Sequence, residues 1–178
     1  MKKLMIVGAL AAIGFVSATQ AASTGTITFN GQLTATTCDA NVDNQGSDAT
    51  ITLPTIGTNQ LTAPGNTAGR TGFNIALTNC AGSLQNAAAF FEAGSTVDLS
   101  TGRLKNVGGD ATNVSLQLRE ATGTEPVIQA GSTKQLSSTF YDISSGSANL
   151  PYSVEYYADG ATTAGTVNSS VVYSIQYN

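Results

Sequence analysis

The stretch of sequence that decides the fold reads Gly72-Phe73-Asn74-Ile75-Ala76-Leu77. Side chains along a β-strand point to opposite faces in turn. Phe73, Ile75 and Leu77 therefore share one apolar face, and the smaller or polar residues between them share the other. The same alternation recurs in Val114-Ser115-Leu116-Gln117-Leu118. Strands with one core face and one solvent face are what a sandwich of two sheets requires.

Short runs of this kind are spread along the chain and are separated by turn formers such as Gly108-Gly109-Asp110. Only 10% of the residues are charged, and Thr, Ser, Gly, Asn and Ala dominate. Together with the short alternating runs, this composition predicts an all-β sandwich. The segment Asn86–Ala89 could instead form a helical turn, and the sequence leaves that open. The predicted strands are Thr26–Thr36, Ala49–Leu53, Gly72–Leu77, Ala89–Glu92, Asn113–Arg119, Lys134–Asp142, Pro151–Ala158 and Thr166–Tyr177.

A signal peptide is predicted at the start of the chain. Two lysines precede the apolar run Leu4–Val16, which is shorter than the roughly 20 residues that cross a bilayer. Small residues at Thr19 and Ala21 suit a signal peptidase, so we assign residues 1–21 to the signal. Cleavage one residue later would put Gln20 where a small residue is preferred. An uncleaved anchor is disfavoured because the apolar run is too short.

Cleavage at this position leaves 157 of the 178 residues, the size of one domain with a real core. The chain has seven Lys and Arg and eleven Asp and Glu. Two of the lysines lie in the signal, so the mature chain carries five basic against eleven acidic residues, a net charge of −6. Such a surface does not favour nucleic acid or anionic lipid, which select for basic clusters.

The two cysteines, Cys38 and Cys80, are predicted to form a disulfide because the chain is exported to an oxidising compartment. In the chain-entropy model, closing a loop of this length stabilises the fold by about 4 kcal/mol. A zinc site is disfavoured because the chain has no histidine to complete it. A redox motif is disfavoured because the two cysteines are far apart in sequence.

Residues with catalytic potential do not form a recognisable set. Histidine is missing, the thiols are predicted to be oxidised, and the carboxylates are scattered singly. Asp39 and Asp43 are interpreted as solvated loop residues, and Gly108-Gly109 lacks the Lys and following helix of a phosphate loop. We therefore predict that the chain is not an enzyme and has no cofactor or metal site.

The C-terminal segment has a regular alternation that ends in a half-buried strand. Val172 is the only apolar residue on the even-numbered face. An ordinary final strand of a sandwich would account for this pattern by itself. The odd-numbered residues, which share the other face, are Val167, Ser169, Val171, Tyr173, Ile175 and Tyr177.

The N-terminal segment after the signal allows two interpretations. Ile27, Phe29 and Leu33 alternate with polar residues, and Gly31 occupies an apolar-face position. Asn30-Gly31 between two alternating runs is typical of a hairpin with a type I′ turn, and the pattern alone favours it. The alternative is one long strand in which Gly31 marks the close approach of another chain.

Several segments resemble the mature subunits of type 1-like fimbriae, which are assembled by the chaperone–usher route. The resemblance covers nearly the whole mature chain, with Tyr177 as a penultimate aromatic residue and Gly165 at the fourteenth place from the end. The segments that carry it are 25–38, 73–80, 114–118, 156–158 and 161–165.

This resemblance implies an incomplete immunoglobulin-like β-sandwich that is completed by a donated strand. Residues 35–178 would form the pilin domain, and residues 22–34 the donor-strand extension that fills the groove of the next subunit. This favours one continuous strand over the hairpin. The implied inserted side chains are Ile27, Phe29 and Leu33, with Gly31 at a constricted point. The implied groove edge and chaperone contact consist of Gly165, Val171, Tyr173, Ile175 and Tyr177.

The resemblance also implies partners and a location. The partners would be other pilin subunits, a periplasmic chaperone and an outer-membrane usher. The chain would pass through the periplasm to a fimbria on the cell surface, where it would be a structural subunit that supports adhesion. A minor adaptor subunit stays open because the donor segment is short. A tip adhesin is disfavoured because it would carry an extra lectin domain and no donor segment.

Overall fold

The structure is a computed structural model that describes residues 25–31, 33 and 37–178. The predicted signal peptide 1–21 lies outside the described residues, and so do 22–24, 32 and 34 of the predicted extension. The chain divides into two compact units, Met1–Gln32 and Leu33–Asn178. In the first unit, residues 25–31 form neither helix nor strand, so the strand predicted at Thr26–Thr36 is not formed over residues 26–31 of the single chain.

Residues 37–178 form two antiparallel sheets. The larger sheet has the order β1-β2-β9-β6-β5-β4, with β7 paired to β6, and the smaller sheet has the order β10-β3-β8. Two short 3-10 helices, Thr58–Gln60 and Thr133–Ser137, lie between strands. The strands are β1 (Thr37–Val42), β2 (Thr67–Ala81), β3 (Asn86–Phe91), β4 (Val97–Asp98), β5 (Arg103–Lys105), β6 (Val114–Glu120), β7 (Val127–Ile128), β8 (Tyr141–Asp142), β9 (Ala148–Ala158) and β10 (Tyr173–Tyr177).

The core lies between the two sheets, and the predicted alternation places it correctly. Ile75 of β2 pairs with Leu150 of β9, and both are almost fully buried. Tyr152 of β9 packs edge-on against Phe91 of β3, with ring centroids 5.2 Å apart, and so joins the larger sheet to the smaller one. The prediction of an all-β sandwich is confirmed.

Where β3 extends past the short edge strand β8, the open side of the smaller sheet is closed by buried side chains. The Ala89 N–H donates to the Tyr152 hydroxyl at 3.0 Å. The Phe91 N–H donates to Gln135 Oε1 at 2.9 Å, and Gln135 Nε2 donates back to the Phe91 carbonyl at 3.0 Å. Burial raises the pKa of the Tyr152 phenol above its ordinary value, so it stays a neutral hydroxyl. These side chains take the place of a further strand.

The outer face of the larger sheet holds a buried carboxylate. Glu155 is 2% exposed and accepts hydrogen bonds from Arg119 Nε at 2.5 Å, Gln117 Nε2 at 2.9 Å and Arg70 Nε at 2.9 Å. Burial disfavours the charged carboxylate, but these donors outweigh it and lower the pKa of Glu155 below its ordinary value. A buried charge is tolerated here because every neighbour stabilises it.

Four expectations about local structure are corrected. The helical alternative at Asn86–Ala89 is wrong, because these residues begin β3 and pair with β10. Ala49–Leu53 is not a strand, although its apolar side chains Ile51 and Leu53 pack against the core. Lys134–Asp142 begins in a 3-10 helix and is a strand only at β8. Thr166–Tyr177 is a strand only from Tyr173 onward.

The early part of Thr166–Tyr177 is held by a loop. Asn168 and Thr166 bond to the 106–111 segment, including a bond from the Ala111 N–H to the Thr166 carbonyl at 3.1 Å. A segment whose backbone groups are already taken by a loop cannot join a ladder. None of the helices in the described part of the chain has the length and apolar character needed to cross a bilayer.

Candidate functional site: a groove between two sheet edges

The first edge of the site is β10, the outermost strand of the smaller sheet in the described part of the chain. The Val172 carbonyl accepts from Glu92 N at 2.8 Å, and Asn178 exchanges two backbone bonds with Asn86. The backbone groups of the even-numbered residues of β10 therefore face β3. Because backbone groups of an antiparallel strand face its two sides in turn, those of Tyr173, Ile175 and Tyr177 point away from the sheet.

The second edge is β1, which ends the larger sheet. The Asp43 N–H donates to the Asn74 carbonyl at 3.0 Å and so continues the β1–β2 ladder. The backbone groups of the odd-numbered residues of β1 therefore face β2. The backbone groups of Cys38 and Ala40 consequently point away from β2, and those of Val42 are bonded within the following turn, to Gly46 and Gln45. Their side chains pack on the core, as those of β10 do. Both edges therefore combine outward-facing backbone with inward-facing apolar side chains.

One tyrosine hydroxyl of β10 connects the two edges, and a second connects β10 to the loop that follows β1. The Cys38 N–H donates to the Tyr177 hydroxyl at 3.1 Å. The Tyr173 hydroxyl donates to the Ser47 carbonyl at 3.0 Å, and burial together with the Asp48 carboxylate raises the pKa of Tyr173 and keeps this donor protonated. The two bonds hold β10 opposite β1 across a gap. Within residues 37–178 no strand lies in this gap, which we call the groove.

The groove can bind an extended chain by two kinds of contact. Its edges offer backbone donors and acceptors in rows, and its walls offer half-buried apolar side chains packed on the core. Strand addition uses the first for affinity and the second for specificity. The apolar side chains that line the two edges are Cys38, Ala40, Val42, Val171, Tyr173, Ile175 and Tyr177.

The structure brings together four of the five residues that were predicted for the groove edge. Tyr173, Ile175 and Tyr177 lie on β10, and Val171 comes just before it; all four are half-buried. Gly165 lies elsewhere, eight residues before β10. A side chain there would come within 2.5 Å of the Ala111 backbone nitrogen, so this glycine permits close contact between two loops.

Sequence reasoning did not identify β1 as the opposite edge. The signal was present, because Cys38, Ala40 and Val42 are small or apolar and alternate with polar residues. The predicted disulfide between Cys38 and Cys80 is confirmed, with a Cα–Cα distance of 4.1 Å. It joins the start of β1 to the end of β2 and so anchors this edge to the body of the sheet.

The predicted donor residues are highly exposed. The exposed fractions are 78% for Ile27, 87% for Phe29 and 100% for Leu33. Asn30 and Gly31 do not have the positive φ angles of a type I′ turn, so the hairpin does not form at this position. Ile27, Phe29 and Leu33 are the three most exposed large apolar side chains in the described part of the chain.

Residues 37–178 contain no group of three or more acidic or cysteine side chains that could hold a metal ion. The two sheet edges offer backbone pairing and apolar burial. This is the chemistry of an assembly interface.

Comparisons with known proteins point the same way. The family model described as FimA, type-1 fimbrial protein A, matches residues 53–178. The major fimbrial subunit SMF-1 of Stenotrophomonas maltophilia (strain K279a) is 46% identical over 162 residues, which cover 88% of this chain and 94% of that protein. The F17 fimbrial protein of Escherichia coli is 35% identical over 182 residues, which cover 99% of each chain.

Solved structures agree in fold. The rod subunit PapA of the P pilus superposes with a TM-score of 0.60 at 17% identity, over 79% of this chain and 99% of that chain. The domain is thus an incomplete immunoglobulin-like sandwich, as in the pilin subunits. The match of the family model and the two sequence relatives establish that this chain belongs to the type-1 fimbrial protein family, the subunits of chaperone–usher fimbriae.

Proposed function

We propose that this chain polymerises by donor-strand exchange, in which residues 22–34 of one subunit fill the groove of the next. As a member of its family the chain is a structural subunit of a fimbria on the cell surface, and its partners are other pilin subunits. One observation carries the mechanism. The chain has a groove with two outward-facing backbone edges, and it has an exposed apolar segment suited to fill it.

The energetics favour such an exchange. Burial of a large apolar side chain stabilises by roughly 1.5–3 kcal/mol. Ile27, Phe29 and Leu33 are exposed now and would all enter the groove, while the strand satisfies backbone groups of both edges. Gly31 would pass the narrowest point, where a side chain would clash with the groove wall. The filled sandwich is then more stable than the empty one.

The same groove supports the proposal of a chaperone and an usher as partners. An empty groove presents apolar walls and unpaired edges, which invite aggregation. A periplasmic chaperone that lends a strand along β10 would cover Val171, Tyr173, Ile175 and Tyr177 until the next subunit arrives. Gly165 would let the loop before β10 pack tightly and hold that edge in place. Export would run through the periplasm, with the usher as the exit.

The test uses Phe29→Asp in the full mature chain, with Thr28→Asp as a matched control on the opposite face of the donor segment. A buried carboxylate without a partner is strongly unfavourable, so Phe29→Asp should abolish the ladder of fibre fragments on gels run without boiling. Thr28→Asp should keep the ladder. Unchanged fibres in Phe29→Asp would refute the proposed register, and loss in both variants would show that the segment tolerates no charge at all.

A second test removes the donor. The mature chain without Ala22–Leu33 should stay monomeric, and a synthetic peptide of those residues should raise its melting temperature. Polymerisation of the truncated chain at the normal rate would show that another segment fills the groove.

A further inference from the structure

We propose that the Tyr177 hydroxyl holds the place of the incoming strand's carbonyl, accepting the Cys38 N–H in the empty groove and releasing it when the groove is filled. This inference rests on the proposed donor-strand exchange and names a residue that regulates it. The bond from Cys38 N to Tyr177 Oη is 3.1 Å long and partly buried. It joins residues 139 positions apart in sequence.

The direction of the Cys38 N–H supports this proposal. This N–H points away from β2, into the groove, where it meets the Tyr177 hydroxyl. The β1–β2 register shifts between Thr37 and Asp39, but the extra residue lies on β2, so β1 keeps its alternation at Cys38. A hydrogen bond requires its acceptor nearly in line with the N–H. The Tyr177 oxygen therefore occupies space in which the backbone of an added strand would lie.

The width of the groove also supports the proposal. Paired strands are about 4.8 Å apart, so a strand inserted between β1 and β10 would keep their backbones roughly 9.6 Å apart. The Tyr177 side chain and its hydrogen bond span the gap between these same two strands. The hydroxyl thus bridges a space that one strand would fill, and an incoming carbonyl competes with it for a single donor.

An unpaired Cys38 N–H would cost free energy in the empty groove. A half-buried backbone N–H without an acceptor is unfavourable, and Cys38 cannot turn away because its disulfide to Cys80 fixes it. Tyr177 removes this cost only while the groove is empty. An incoming strand must replace that bond before it gains from its own pairing at Cys38. Tyr177 consequently slows pairing at this end of the groove and stabilises the free subunit.

The experiment follows the Cys38 amide directly. The mature chain has only two cysteines, so ¹⁵N-cysteine labelling gives two amide signals. The Cys80 N–H donates to the Gly146 carbonyl at 3.0 Å, away from the groove, and serves as the internal reference. The ratio of hydrogen-exchange rates, Cys38 to Cys80, is measured in full-length monomer and in fibres. Fibre exchange is arrested in acid, and the fibres are dissolved before the spectrum is recorded.

In the Tyr177→Phe monomer, we expect the ratio to rise at least about fivefold, the factor that corresponds to a net hydrogen bond of about 1 kcal/mol. In Tyr177→Phe fibres the ratio should return to that of wild-type fibres, because the donated strand supplies the acceptor. Chain growth should be faster than in the wild type. Tyr141→Phe, which removes a hydroxyl bonded to Thr122 instead, should leave the ratio unchanged.

Three results would overturn the inference. An unchanged ratio in the Tyr177→Phe monomer would show that the hydroxyl does not protect Cys38. A raised ratio that persists in Tyr177→Phe fibres would show that no strand takes over the donor, although the fibres themselves would leave the proposed function intact. Failure of the wild-type chain to give any ladder would refute the proposed function, and the inference with it.

Discussion

The two sides of the smaller sheet differ in how side chains are arranged beside the backbone groups that no strand pairs. On the β8 side, where β3 extends past the short strand β8, the Tyr152 hydroxyl and the Gln135 amide bond to outward-facing backbone groups of β3, and these side chains are only 2% and 4% exposed. At the β10 edge, the connecting hydroxyls belong to Tyr173 and Tyr177, which are half-buried at the end of the chain. The first edge is sealed by the core, and the second is bridged across a groove.

This difference teaches how a sandwich can be stable and unfinished at once. A sealed edge removes unpaired backbone groups for good, because its side chains cannot leave without opening the core. At the bridged edge the hydroxyls bond to Cys38 and Ser47 and not to the backbone of β10 itself, which leaves room for a strand. Changes at the sealed edge should therefore affect folding of the subunit, and changes at the bridged edge should affect its assembly.

The largest effect is expected for Tyr152→Ala at the sealed edge. The substitution removes a buried ring that packs on Phe91 and the hydroxyl that accepts from Ala89. Loss of a buried aromatic side chain typically costs roughly 3–5 kcal/mol. Urea unfolding of the monomer measures the loss. A cost below about 1 kcal/mol would remove the energetic basis for calling this edge sealed.

A smaller effect is expected for Gln135→Leu, which roughly keeps the volume but deprives the Phe91 N–H of its acceptor, while the Phe91 carbonyl keeps the Gly131 N–H as a donor. An unsatisfied buried backbone N–H should lower the free energy of unfolding by about 2 kcal/mol. Lys134→Ala, at the exposed neighbouring position, is the matched control and should be nearly neutral. Equal stability of the two variants would mean that the amide does not seal the edge.

At the bridged edge, Ile175→Ala should lower monomer stability by only about 1 kcal/mol, because the side chain is half-buried. Chain growth should slow roughly tenfold, since the donated strand loses an apolar contact of about 1.4 kcal/mol. Ser174→Ala, on the opposite face of β10, should grow at the normal rate. The comparison between edges fails if Ile175→Ala destabilises the monomer as much as Tyr152→Ala does.

The loss of stability at acid pH should be the same whether the groove is empty or filled. The lowered pKa of Glu155 contributes stability that is present at neutral pH and is lost as the pH falls through the folded-state pKa, below the ordinary value of 4.5. The loss should be equal in empty and filled subunits, because Glu155 lies on the outer face of the larger sheet. Unfolding of the wild type and Glu155→Gln measures it, and the variant should show the shallower pH dependence. A pH effect confined to one form would place the titrating group in the groove.

Sequence alone predicted the long strands well and the edges poorly. Strands with a full alternating face, such as 72–77 and 114–118, are found as expected because burial of one face fixes them. Ala49–Leu53 has the same alternation but no partner strand, and pairing is a property of the whole fold. Gln135 could not be predicted as an edge cap, because its partner Phe91 lies 44 residues away in sequence.

The candidate site shows the same limit. The face of β10 follows from a period of two, so Tyr173, Ile175 and Tyr177 were predicted together. Their position opposite Cys38 depends on which strands end the two sheets, and no local pattern contains that information. Gly165 was grouped with them by its distance from the end of the chain, yet it packs against Ala111.

The disulfide has a mechanical consequence for a fibre of the proposed kind. Tension along such a fibre would enter each subunit through the segment that precedes β1. Without a cross-link, that pull would act first on β1, a six-residue strand at the margin of its sheet. The Cys38–Cys80 bond passes the load covalently to β2, which has 15 residues and lies between two partner strands. The marginal strand β1 is thereby relieved of the load, and the subunit would resist peeling under flow.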